Sequence, residues 1–437
     1  MRILLAGTHS GCGKTTVSLA VMAALSSRGL SVAPFKAGPD YIDPGFHQAA
    51  CGCPSDSLDL RLCSEQAVSS MLSRGEARSD IAIVEGVMGY YDGMDSASFR
   101  CSTYDLARAT RTPVILVVDA SGGAASVAAV VKGFASMARD SGIRAVLVNR
   151  VSSRGHYELV RDAVTRYAGL PCAGFTRKDA ELTMPSRHLG LIPAGETAGL
   201  SGLISRAAAN ALENVDLDMI IKIASNAPPL AVKNLDIPRF DIDRIGVARD
   251  DAFRFYYPEN LRMMTVSGIE LVYFSPMSDT RLPDGLDGLY IGGGFPEVFA
   301  ERLEANRSMR DGIRAALEGG MRCYAECGGL LYLSRALEGR AMVGFLPIDC
   351  RMTDRLQRFG YVNITDETGA AFPAHEFHYA VAEPAEDIPR AFRVAKAGRP
   401  EQSWTCGYRK ANTLAGFPHL HFGSRPELIA RLWRGGA

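Results

Sequence analysis

Several features that define other protein classes are missing from this chain. Its 48 basic and 48 acidic residues cancel, so no net field favours nucleic acid or an anionic membrane surface. No apolar run approaches the roughly 20 residues needed to span a bilayer. Ten cysteines are present, yet Cys51-Gly52-Cys53 and Cys323-x-x-x-Cys327 lack the paired C-x-x-C spacing of a structural zinc site. Their scatter through a long chain does not read as a disulfide framework either. Low-complexity tracts and internal repeats are absent. Met1 runs directly into Ile3-Leu4-Leu5-Ala6 and a glycine loop, which leaves no room for a signal peptide and sets the expectation of a cytoplasmic protein.

What remains has the composition of ordinary folded domains, 47% hydrophobic and 22% charged, with no sign of a disordered tail. At 437 residues the chain exceeds what one hydrophobic core supports, which predicts two domains. From residue 1 to 225 short β-branched runs (Ile3-Leu4-Leu5, Ser31-Val32-Ala33, Ile81 to Val84, Val114 to Val118, Ala145 to Val148) alternate with helical stretches. Continuously apolar strands spaced by helices predict a doubly wound parallel sheet. Prolines in Asn226-Ala227-Pro228-Pro229 and Asp236-Ile237-Pro238 break the pattern, placing a linker at 226–243. A second α/β pattern fills 244–437, with strands expected around Ile245 to Ala248, Leu271 to Phe274, Gly288 to Ile291 and Met321 to Ala325.

Ligands of open parallel sheets sit beyond the carboxyl ends of the strands. In the first half those ends carry Thr8 to Thr15, Lys36 to Pro44, Glu85 to Asp92, Asp119 and Asn149-Arg150. The loop Thr8-His9-Ser10-Gly11-Cys12-Gly13-Lys14-Thr15-Thr16, between an apolar strand and a helix expected from about Thr15 to Ser27, has the setting of a phosphate loop. Backbone N–H groups around Gly11 and Gly13 would gather about the phosphates, Lys14 would neutralise the β/γ oxygens, and the Thr15 hydroxyl would reach Mg²⁺. The strict G-x-x-x-x-G-K-[ST] pattern asks for glycine where Thr8 stands. The next strand ends in Lys36-Ala37-Gly38-Pro39-Asp40-Tyr41-Ile42-Asp43-Pro44, a rigid turn with one cation and two carboxylates. Glu85, at a third strand end, is a candidate oxygen ligand for Mg²⁺.

The second half carries a different chemistry. A strand through Arg322-Cys323-Tyr324-Ala325 runs into Glu326-Cys327-Gly328-Gly329, the thiol counterpart of a G-x-S-x-G nucleophile elbow with Ala325 in the first glycine position. Such a turn lifts Cys327 clear of the backbone at a helix start that favours thiolate. Gly292-Gly293-Gly294, after another strand, can offer N–H groups to a developing oxyanion, as can Gly328 beside the thiol. A base is needed, and Pro418-His419-Leu420-His421 supplies two histidines at alternate positions. His375-Glu376-Phe377-His378 is not the H-E-x-x-H zinc pattern, and its histidines are expected to pack or hydrogen-bond.

Taken together, Gly7-Thr8-x-x-x-x-Gly13-Lys14-Thr15-Thr16, Lys36-x-Gly38-Pro39-Asp40-Tyr41-Ile42-Asp43-Pro44 and Glu85-Gly86-x-x-Gly89-x-x-Asp92-Gly93 resemble the cobyrinic acid a,c-diamide synthase family across essentially the whole chain. Thr8 is similar to what that family and dethiobiotin synthetase use. The resemblance implies a dethiobiotin-synthetase-type ATP domain fused to a class I glutamine amidotransferase domain. It further implies that Thr15, Asp40 and Glu85 hold Mg²⁺, that Asp43 and Asp92 lie by the corrinoid carboxylate, and that Asn149-Arg150 flank the adenine, with Leu191 to Ala194 completing that pocket. By the same resemblance Lys36 belongs to the nucleotide site, His419 is the base and His421 is structural. A third carboxylate is not assignable beyond the weak candidate Glu427, and this branch is expected to manage without one.

The implied activity is amidation of the a and c side chains of cobyrinic acid with ATP and glutamine, a second copy of the chain being a candidate partner. Hydrogenobyrinic acid and nickel sirohydrochlorin are rival substrates, and cobyric acid synthase is a more distant rival. A partitioning-type ATPase switch wants a second lysine early in the loop, which Thr8-His9-Ser10 does not supply, and neither it nor an ATP-dependent carboxylase would need the cysteine half.

Overall fold

The computed structural model describes every residue except 179–185, 188–189, 192, 233–234 and 434–437. It divides into two compact units, Met1–Leu60 with Ser64–Leu235 and Arg61–Cys63 with Asp236–Ala437. Among the described residues no helix is long and apolar enough to cross a membrane.

The first unit is built on seven strands: β1 (Arg2–Gly7), β2 (Val32–Ala37), β3 (Asp56–Leu58), β4 (Ile81–Glu85), β5 (Val114–Asp119), β6 (Ile143–Val151) and β7 (Cys172–Arg177). They lie in the order β3-β2-β4-β1-β5-β6-β7, every pair parallel. Strands buried on both faces need no alternation, which is why β1 is buried at all six positions. Register brings the polar strand ends level: Lys36 is opposite Glu85, and Asp119 is opposite Asn149. Helix α1 (Lys14–Ser27) leaves the phosphate loop from Gly13 at φ 90° and is apolar almost all round, with Val17, Leu19, Val21, Met22 and Leu25 fully buried. Helix α2 (Asp43–Cys51) starts with proline at its first turn, where the missing N–H costs nothing.

In the second unit a ten-stranded sheet contains β8 (Arg244–Ala248), β9 (Glu270–Phe274), β10 (Gly288–Ile291), β11 (Arg322–Glu326), β12 (Arg358–Asp366), β13 (Ala371–His378), β14 (Arg390–Lys396), β15 (Arg399–Lys410), β16 (Thr413–Gly416) and β17 (His419–Leu420), ordered β9-β8-β10-β11-β16-β15-β14-β12-β13-β17. The stretch from β9 to β16 is parallel, as the second α/β pattern predicts. Beyond β16 the sheet turns antiparallel, a feature the sequence reading did not anticipate. Only Phe417 and Pro418 separate β16 from β17, yet these two strands end opposite sides of the antiparallel run, so that run must curl back on itself. The curl sets His375 of β13 directly opposite His419 of β17.

Candidate functional site

The phosphate loop holds Lys14 folded inward, its Nζ donating to the His9 carbonyl at 3.2 Å. Burial pushes the Lys14 ammonium below its ordinary range, leaving it poised for an anionic partner. Thr8 and His9 join side chains at 3.0 Å (Oγ1 to Nδ1), while Gly11 is exposed and Thr16 half-buried in the first turn of α1. Thr15 Oγ1 donates to Glu85 Oε1 at 2.7 Å and lies 3.3 Å from Asp43 Oδ2. Lys36 Nζ bridges the same two acids, 2.6 Å from Asp43 and 2.8 Å from Glu85.

Lys36, Asp43 and Glu85 are buried, and their charges depend on one another. Burial raises the Glu85 carboxyl, but Lys36 and then His47 override it and hold Glu85 well below the usual range. Burial opposes the charge on Lys36 too, and Asp43 with Glu85 outweighs that and holds it high. Asp43 goes the other way: burial and the neighbouring Asp40 raise it to about 7 despite Lys36. Thr15, Asp43 and Glu85 bring hard oxygen donors together at one strand edge, a donor set that suits Mg²⁺.

Of the metal residues expected from sequence, Asp40 is used differently on one of its oxygens. Its Oδ1 accepts from the backbone N–H groups of Ile42 and Asp43, at 2.8 and 3.0 Å, and braces the entry to α2. Asp43 is the acid that joins Thr15 and Glu85. Asp92 is exposed and accepts from Gly89 N–H at 2.7 Å. The Asn149 amide, expected beside the adenine, is engaged with the loop itself: Nδ2 donates to the Cys12 carbonyl at 2.8 Å, and Oδ1 accepts from Arg150 N–H and the Thr176 hydroxyl. Arg150 pairs with Asp119 at 2.6 Å. Ala194 lies against α2 at Gly45, while Ile192, from the same expected pocket, lies outside the described residues.

His47 was missed. It lies one helical turn after Asp43, fully buried, with Nε2 2.7 Å from Glu85 Oε2 and Nδ1 3.0 Å from Ser55 Oγ. The Asp43/His47 spacing of four on a helix was the signal available, since such residues share a face.

In the second unit Cys327 occupies the turn between β11 and the short helix Gly328–Leu333, at φ 47° and ψ −101°. Positive φ is costly for a residue with a Cβ, and the turn is held by Cys327 N–H to Gly416 C=O at 2.7 Å. Only glycine fits at 329, because a Cβ there would lie 2.1 Å from the Ile291 carbonyl oxygen. That close approach brings the elbow against the Gly292-Gly293-Gly294 loop, with the Gly294 nitrogen 3.0 Å from where a Cβ on Gly328 would stand. Gly293 is equally constrained: a Cβ would meet His419 Cε1 at 2.7 Å.

The Cys327 and His419 side chains interact, and Glu326 Oε2 lies 3.7 Å from His419 Nδ1. Burial disfavours a charged imidazole here, but Cys327 and then Glu326 outweigh it and raise His419 to about 10. His375 stacks on His419 with ring centroids 5.0 Å apart and is kept neutral, burial and the His419 charge pushing it far below its ordinary value. His421 accepts at Nδ1 from Gly423 N–H at 3.0 Å, packs on Tyr257, and is pushed by burial down to about 4. The same Nδ1 lies 3.2 Å from Cys63 Sγ. His375 and His378, three apart on a strand, face opposite ways; His378 stacks on Phe417 at 3.8 Å and bonds the Ala380 carbonyl. Glu427, the candidate for a third acid, is exposed and paired with Arg425, whereas Glu326, unforeseen because it adjoins Cys327, is a carboxylate beside His419.

Residues 3–192 match the CobQ/CobB/MinD/ParA nucleotide binding domain, and residues 244–427 match the CobB/CobQ-like glutamine amidotransferase domain. A cobyrinate a,c-diamide synthase from Listeria innocua is 39% identical over 100% of this chain and 99% of its own. Another from Caldanaerobacter subterraneus is 41% identical over 98% of this chain and 96% of its own. Among solved structures, a glutamine amidotransferase is 18% identical over 43% of this chain and 96% of its own, with a TM-score of 0.34.

Proposed function

Because the chain belongs to the cobyrinate a,c-diamide synthase family, amidating ligases that use glutamine, we propose that it converts the a and c carboxylates of cobyrinate to amides, with ATP and glutamine consumed at each. The observation that carries this reading is that one chain, similar to those synthases over its whole length, holds both a lysine-threonine-glutamate phosphate site and a cysteine-histidine pair facing a glycine loop.

In the second unit, Cys327 Sγ attacks the side-chain amide carbon of glutamine. The oxygen takes up negative charge against N–H groups of the Gly293-Gly294 loop and Gly328. His419 gives a proton to the departing nitrogen as the C–N bond breaks, releasing ammonia and a glutamyl thioester. Water then hydrolyses the thioester to glutamate, with His419 taking the proton.

In the first unit, the phosphate loop and Lys14 bind the triphosphate. Thr15, Glu85 and Asp43, with Asp40 alongside, would hold Mg²⁺, which would supply positive charge against that of the bound phosphates. Lys36 fixes Asp43 and Glu85 in place, and Asp92 lies toward the corrinoid side chain. A substrate carboxylate oxygen displaces ADP from the γ phosphorus to give an acyl phosphate. Neutral ammonia attacks its carbonyl carbon, and inorganic phosphate leaves with the amide formed.

Product mass spectrometry tests this. Cobyrinic acid, its cobalt-free analogue and nickel sirohydrochlorin are offered in parallel with ATP and amide-¹⁵N glutamine. Two ¹⁵N atoms in the cobyrinic acid product, dependent on ATP, are expected; product from either rival in preference to cobyrinic acid would overturn the substrate assignment.

A further inference from the structure

The carboxylate beside His419 comes from an unexpected place in the chain. Glu326 is the last residue of β11 and immediately precedes the nucleophile, so its side chain leaves the strand on the face opposite to that of its neighbours. It is 1% exposed. A buried carboxylate without partners would be expensive, and Glu326 has several. Tyr324 O–H donates to Oε1 at 2.7 Å, Tyr290 O–H donates to Oε2 at 3.2 Å, and Leu420 N–H donates to Oε1 at 3.1 Å.

These donors fix its direction. Tyr290 and Tyr324 are themselves wedged edge-on against Trp433, each with centroids 5.5 Å from the indole, while Trp433 Nε1 donates to the Leu289 carbonyl at 3.0 Å. The Leu420 N–H is part of the strand that carries His419, so one carboxylate binds the backbone of that strand and stands beside its imidazole. Oε2, with Tyr290 as donor, is the oxygen 3.7 Å from His419 Nδ1. Three elements, β10, β11 and β17, therefore converge on one acid.

We infer that Glu326 is the positioning residue of the Cys327–His419 pair, holding the imidazole with Nδ1 protonated and Nε2 turned to the thiol, and favouring the thiolate–imidazolium form. This rests on the glutamine-hydrolysing reading of the second unit. It replaces the expectation that the site manages without a third acid. The other titratable groups at the pair are His375, stacked on His419 and kept neutral, and Cys327 itself; Glu376 and His378 stand further off on the other face of β13. Among the described residues, Glu326 is the carboxylate that both approaches the imidazole and is tied to its strand.

The test is Glu326→Gln, which keeps size and most hydrogen bonds but removes the charge and offers N–H to Nδ1–H. Glutamine-dependent kcat should fall about 10²- to 10⁴-fold with KM little changed. ATP-dependent amidation with ammonium should stay within about twofold, which also reports that the chain is folded. Alkylation of Cys327 by iodoacetamide should slow at least about tenfold near neutral pH, its half-maximal rate moving to higher pH, because the imidazolium that stabilises thiolate has lost its counter-charge. A kcat within about twofold of the native value, or an unmoved alkylation profile, would overturn the inference. If the variant does not fold, Tyr290→Phe and Tyr324→Phe together loosen the same carboxylate and should reproduce the alkylation shift in smaller measure; no shift in a folded double variant would overturn it. A native enzyme that hydrolyses glutamine yet amidates no corrinoid would defeat the proposed function and leave this inference standing.

Discussion

His47 Nε2 stands 2.7 Å from Glu85 Oε2, both side chains fully buried, and the same glutamate meets Thr15 and Lys36 through its other oxygen. One oxygen is thus anchored in the protein while the other faces the phosphate loop. An imidazole in this position orients a carboxylate as the outer partners of metal ligands do. His47→Ala should lower ATP-dependent amidation about 10- to 100-fold with either nitrogen source and leave glutamine hydrolysis intact. Steady-state rates with glutamine, with ammonium and for hydrolysis alone check this; a loss confined to glutamine would contradict it.

The two chemistries should separate by nitrogen source. Cys327→Ala is expected to abolish activity with glutamine and to retain it with ammonium, since the thiol takes no part in carboxylate activation. Lys14→Ala is expected to lose both by at least about 10²-fold, because the charge on the transferring phosphoryl group is no longer met. Equal loss with both nitrogen sources in the cysteine variant would count against two separable sites.

Gly293→Ala probes the packing behind His419. The new methyl would stand 2.7 Å from His419 Cε1, well inside the roughly 3.5 to 4.0 Å of a comfortable carbon contact. The imidazole or the loop must give way, and glutamine hydrolysis should fall about 10²-fold while ammonium-supported amidation persists. Paired assays of the two activities decide it.

His419 also predicts a pH dependence of stability. The folded pKa is raised to about 10, whereas a free imidazole titrates near about 6.5. A raised pKa means that the native state keeps a proton the unfolded chain gives up. The stabilisation is complete below about 6.5 and is lost as pH climbs through about 10. Melting temperature should therefore fall with rising pH across that window more steeply in the native protein than in His419→Asn. Parallel slopes in thermal melts of the two would refute the assignment.

The strand ends of the first unit were legible because each is a local event: an apolar run, then glycine, then Lys14 and Thr15, or an apolar run ending at Glu85. Parallel pairing puts such ends on one edge whatever the strand order. The elbow at Cys327 was legible for the same reason, its glycines being chain neighbours of the thiol. Asp43 and Asp40 were harder, since both lie in one turn and only the direction of each side chain decides that Asp43 reaches Thr15 while Asp40 braces the helix start.

By itself the sequence determined that a phosphate loop and a cysteine elbow lie on two α/β units, because glycine spacing and apolar period act over a few residues. Tertiary structure alone decided that His47 supports Glu85, that Asn149 backs the loop, and that Glu326 rather than Glu427 stands beside His419. The physical reason is strand order: the antiparallel run curls so that β17 lies within reach of β11, and residues 93 positions apart in the chain, Glu326 and His419, meet only once that sheet has formed.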